Sequence, residues 1–85
     1  MKIMKANALI KKINKAIPEA RAVPMADWDG SDDGIWFRGS EDYVEADGRL
    51  IMSGGWDVHP RLEKILDDAG WYAEPYDSGT LMAYN

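Results

Sequence analysis

The sequence predicts an α+β domain in which an antiparallel sheet of four or more strands carries two helices packed on one face. Three observations lead there. Apolar residues recur at helical spacing in two segments, 5–17 and 58–69. Each segment is followed by short β-branched or aromatic stretches punctuated by Gly, Pro and Asp. The order helix, strands, helix, strands stacks both helices on one side of an antiparallel sheet. Eighty-five residues fit one domain spanning 1–85, and a chain of this size buries only about 60–65% of its unfolded surface.

In the first helix Ala6, Ile10, Ile13 and Ile17 share a stripe with Leu9 beside it, while Lys5, Lys11, Lys12 and Lys15 cover the rest. Pro18 ends it. Its start is either capped by Asn7 or preceded by a short extended piece over 2–6. Residues 21–26 read as a short strand that Pro24 confines to an edge or a strand start. An acidic loop, 27–34, leads into a strand over 34–38 centred on Ile35, Trp36 and Phe37. Asp47-Gly48 is the pair favoured by a two-residue type I′ turn, which predicts a hairpin of 43–46 with 49–53 and sets Val44 opposite Ile51.

The second helix, 58–69, buries Leu62, Ile65, Leu66 and Ala69 with Val58, and exposes Arg61, Glu63, Lys64, Asp67 and Asp68. Asp57 is the expected cap, Pro60 sits in the first turn, and Gly70 supplies the left-handed stop. The chain then changes period. Trp71, Ala73, Leu81 and Ala83 alternate with Tyr72, Glu74, Met82 and Tyr84 about a turn at Asp77-Ser78-Gly79. With Gly79 left-handed in a three-residue loop, Tyr76 pairs with Thr80 and Tyr72 with Tyr84. Pro75 requires an edge strand. A faint echo links Ala22-Val23-Pro24 and Ile35-Trp36-Phe37 with Ala73-Glu74-Pro75 and Thr80-Leu81-Met82; it involves too few positions to establish a duplication.

Charge and composition bound the function. The net charge is −5, split between +5 in residues 1–24 and −10 in residues 25–85. Such a split concerns partners rather than fold, and a solvated surface accounts for it most simply. The absence of cysteine excludes disulfides, zinc–thiolate sites and a thiol nucleophile. No apolar run approaches the roughly 18 residues of a membrane span, and lysines throughout residues 1–17 argue against a secretory signal. The expectation is a soluble, cytoplasmic protein.

Candidate chemistry is sparse. Asp29, Ser31, Asp33 and Gly34 match the first half of a calcium loop, but position twelve is Ser40, so an acidic turn is the simpler reading and no metal is expected. Gly54-Gly55 before a helix start would offer amides to an anion with Arg61 nearby, yet the Asp57 carboxylate opposes it. His59 is the sole histidine, with Asp57 two residues away as its sequence neighbour. Without a second histidine or a nucleophile motif the sequence points away from an enzyme and implies no cofactor.

If the helices cover Val44 and Ile51, the opposite sheet face carries Tyr72, Glu74, Tyr76, Met82 and Tyr84, with Tyr43 and Met52 adjoining if the two hairpins lie side by side. Aromatic residues and methionine are favoured at interface centres, so this face is expected to bind a protein partner or a second copy. Alternatively the loop with Met25 and Trp28 folds across it as a second small core. A competing class is a nucleic-acid binder using Lys5, Lys11, Lys12 and Lys15, which the fourteen acids of residues 25–85 oppose. The stretch from His59 to Tyr84, above all Ala73-Glu-Pro-Tyr-Asp-Ser-Gly-Thr-Leu-Met-Ala-Tyr, resembles short uncharacterised proteins encoded in phage and prophage genomes. That resemblance implies no catalytic residues, and it implies a setting in which small proteins bind and redirect host proteins.

Overall fold

The computed structural model describes residues 3–29, 34–53 and 57–85. Residues 3–5 precede the first helix without regular structure, Lys5 is extended, and the Met4 N–H donates to the Ala69 carbonyl at 3.0 Å. Helix α1 (Ala6–Ala16) buries Leu9 and Ile13 and has no side-chain cap. It thus begins after an extended Lys5 rather than at an Asn7 cap. Pro18 opens a 3-10 turn, Pro18–Ala20, which turns the chain into β1 (Ala22–Pro24), the single-turn α2 (Ala26–Asp29) and β2 (Ile35–Phe37). Two short ribbons come next, β3 (Tyr43–Val44) with β4 (Arg49–Leu50) and β5 (Met52–Ser53) with β6 (Asp57–Val58). Helix α3 (Pro60–Asp68), β7 (Tyr72–Asp77) and β8 (Thr80–Tyr84) complete the chain.

The main sheet is antiparallel in the order β1-β2-β8-β7, so both proline-bearing strands lie at its edges, as their missing N–H groups require. On one face Ala22, Phe37 and Leu81 stand in register, with Ile35 beside Ala83 and Ala73. These residues share one core with Leu9 and Ile13 of α1 and with Leu62 and Leu66 of α3. Both helices therefore pack on the same face, and the α+β class is as the sequence predicts.

The registers are related as if by a twofold axis at the central Trp36–Met82 pair. Ala22, Val23 and Pro24 pair with Phe37, Trp36 and Ile35, while Ala73, Glu74 and Pro75 pair with Ala83, Met82 and Leu81. The sequence echo follows this relation in its first triplet. Its second triplet is displaced by one residue, since Ile35-Trp36-Phe37 corresponds to Leu81-Met82-Ala83.

Three local expectations are corrected. Helix α3 starts at Pro60 rather than at Val58, and its cap is His59, not Asp57. Proline disfavours helical geometry in the residue before it, and His59 is accordingly extended at ψ 130°. Asp57 and Val58 are instead β6, paired with Ser53 and Met52. In the middle hairpin Val44 pairs with Arg49, not Ile51, and the loop spans residues 45–48 with the Gly48 N–H donating to the Val44 carbonyl at 2.8 Å. The Asp47 carboxylate accepts from the Arg49 N–H at 3.0 Å and from the His59 ring at 2.8 Å, which holds the wider loop. In the last hairpin Tyr72 does pair with Tyr84, but Asp77 pairs with Thr80 and the register shifts between Pro75 and Asp77, leaving Tyr76 as an extra residue.

Two glycines are required where they stand. A Cβ on Gly39 would lie 1.8 Å from the Glu19 carbonyl oxygen, so any side chain there displaces the backbone. Gly70 ends α3 with φ +80°, the left-handed conformation expected of it.

Candidate functional site

The sheet face turned away from the helices is built by the alternation of its strands. Ile35 and Phe37 point into the core, so Trp36 between them points out, beside Val23, Met82 and Glu74 of the neighbouring strands. Along β7 the exposed residues Tyr72, Glu74 and Tyr76 alternate with the half-buried Ala73 and Pro75. Tyr72 packs against its cross-strand partner Tyr84, ring centroids 6.2 Å apart and tilted by 41°. The Tyr84 hydroxyl donates to the Met82 sulfur at 3.4 Å. At the β2 position the Arg38 guanidinium lies 5.8 Å from the centre of the Trp36 ring.

This face is divided. Met82 and Met25 are 3% and 2% exposed and neither belongs to the main core cluster; the Met25 methyl and the Tyr84 ring both stand against Gly34, just before β2. The alternative in which the loop with Met25 and Trp28 forms a second small core rests on the Trp28 side chain and residues 30–33, which lie outside the described residues. The β7 side stays open, with Tyr72 52% and Tyr76 62% exposed. Met82 is thus a floor beneath the aromatic rings rather than an accessible anchor.

Tyr43 and Met52 do not join this surface. β8 takes β2 as its neighbour, so the two hairpins do not lie side by side. The chain bends at Ile51, turning Met52 into the core at 5% exposure. Tyr43 is exposed on its ribbon, opposite Leu50. Glu45 is exposed there too, its N–H donating to the Glu19 carboxylate at 2.8 Å. Sequence reasoning omitted Trp36 and Arg38, although the in-out-in alternation of Ile35, Trp36 and Phe37 was the signal for the first.

His59 has a defined place. Its Nδ1 accepts from the Arg61 N–H at 3.1 Å, so in the neutral ring the hydrogen is on Nε2, which faces Asp47 Oδ2 at 2.8 Å. With both nitrogens engaged and the side chain 1% exposed, it caps α3 and anchors the 45–48 loop. Its partner is Asp47, not Asp57. The Asp47 carboxyl titrates below the usual range, chiefly because it accepts the Arg49 N–H.

Lys5, Lys11, Lys12 and Lys15 are all exposed, and none makes an ion pair among the described residues. The calcium-like run is not testable, because residues 30–33 and the Asp29 side chain lie outside the described residues; so do Trp28's side chain and Gly54-Gly55. Among the described residues no group of three His, Asp or Glu could hold a metal, and no helix is long and apolar enough to cross a membrane. Comparison of the chain with protein-family models, with curated proteins and with solved structures finds no match in any of the three.

Proposed function

We propose that the protein is a non-enzymatic protein-binding module whose contact surface is the β7 side of the outer sheet face. One observation carries this reading: two tyrosines more than half exposed flank a carboxylate on an edge strand, while the other face of the same sheet is filled by α1 and α3. Tyrosine offers large contact area with few rotatable bonds, which suits an interface centre. Tyr72 and Tyr76 are the anchors, Tyr84 and Met82 support them, and Glu74 sets specificity. The phage-like character of residues 73–84 favours a host protein as the partner.

The test is capture of partners from lysate by the tagged protein, with and without nuclease. A protein that survives nuclease and is lost with Tyr72→Ala plus Tyr76→Ala is the expected result, and Lys5, Lys11, Lys12 and Lys15 changed to glutamine leave it bound. Both tyrosines are exposed, so near-UV circular dichroism should report an intact fold. If the double variant folds and captures the same protein equally well, the reading is wrong. The competing reading rests on the four exposed lysines of α1, and material lost on nuclease treatment would favour it.

A further inference from the structure

We infer that the open β7 side receives an arginine-bearing segment of the partner, with a guanidinium seated on Tyr72 and bonded to Glu74. This inference rests on the protein-binding reading and adds the chemistry of the occupant.

The charge of the surface points to a cation. Strands β7 and β8 contain two acids, Glu74 and Asp77, and no lysine or arginine. Among the described residues Glu74 makes no ion pair and no cation lies over Tyr72. The same face shows what such a ring accepts, because Arg38 covers Trp36 on the β2 side. Tyr72 and Glu74 are two residues apart on one strand, so their side chains rise on the same face roughly 7 Å apart. A planar guanidinium can stack flat on the ring and still fork towards the carboxylate with two parallel N–H bonds, a geometry that a compact ammonium matches less well.

The strand also limits how the partner docks. Pro75 offers no N–H and the register shift at Tyr76 interrupts the ladder, so the β7 edge is poorly suited to adding another strand. Recognition therefore runs through side chains across the face.

The probe is a blocked, otherwise neutral peptide with two arginines separated by one residue, followed by amide NMR of the protein. Expected are shifts confined to β7 and β8, and affinity lowered about tenfold by Glu74→Gln, the scale of one charge-assisted contact. The same peptide with citrulline should not bind, and the lysine version should bind more weakly. Equal binding by the citrulline or lysine peptide overturns the guanidinium assignment. So does the absence of any shift, or shifts centred on the acidic side of α3 that Glu74→Gln leaves unchanged. Glu74→Gln in the capture experiment separates the two ideas. A partner retained by Glu74→Gln but lost with the tyrosine pair overturns only the arginine assignment; one retained by both variants overturns the binding face itself.

Discussion

Ser40 holds the end of the central strand pair together with one hydroxyl. It is 2% exposed, donates to the Phe37 carbonyl and accepts from the Leu81 N–H at 2.9 Å, so it extends the β2–β8 contact where β2 has already ended. Ser40→Ala leaves a buried N–H without an acceptor and should destabilise the fold by about 1–3 kcal/mol, measured by denaturant unfolding. Two carboxylates act from the surface. Asp47 accepts from Arg49 and Glu19 accepts from the Glu45 N–H, and each carboxyl is held below its ordinary value by that bond. A depressed folded-state value means stability that is present above the unfolded value and is lost as pH falls through the folded one. The thermal midpoint should therefore fall below about pH 4.5, and fall less steeply in Asp47→Asn combined with Glu19→Gln.

At the scale of elements, the exposed strand edges are managed by side chains. The Asn14 amide of α1 donates to the Ala22 carbonyl at 2.9 Å and accepts the Ala22 N–H at 2.8 Å, standing where a further strand would pair. Asn14→Ala should cost about 1–2 kcal/mol and speed amide exchange at Ala22. Both helices and the last hairpin were legible because their signals are local: i, i+4 apolar spacing, a terminating glycine, alternation. The start of α3 was misplaced at Val58, which fits the apolar stripe, although Pro60 disfavours a helical His59. The register of the middle hairpin was not legible. Asp47-Gly48 favours a tight turn by itself, and the bond that selects the wider loop comes from His59, twelve residues away. His59→Asn should keep a cap on α3 while releasing that loop, seen as faster exchange at Arg49 with the helix intact.

Across the whole molecule two helix-strand-strand units share a sheet through β2 and β8, and the ribbons at 43–58 are inserted between them. That central pairing joins residues 46 apart in the chain at Trp36 and Met82, and no local signal encodes it. It decides which aromatics share the outer face: it brings Trp36 beside Met82 and excludes Tyr43 and Met52, while the β7–β8 hairpin keeps Tyr72 and Tyr84 together. The candidate site was thus legible along β7 and β8, where one hairpin determines it, and illegible where it depended on strand order. Charge is divided at the same scale, with lysines along α1 and the acidic excess in residues 25–85, so the two competing readings place the partner on different surfaces.

Position-specific photo-cross-linking distinguishes those surfaces most directly. With a photoreactive phenylalanine analogue at position 72 in one protein and at position 12 in another, irradiation in lysate should trap a protein from position 72 and not from position 12. A cross-link formed from position 12 alone, or to nucleic acid, would contradict the assignment of the β7 face as the binding surface.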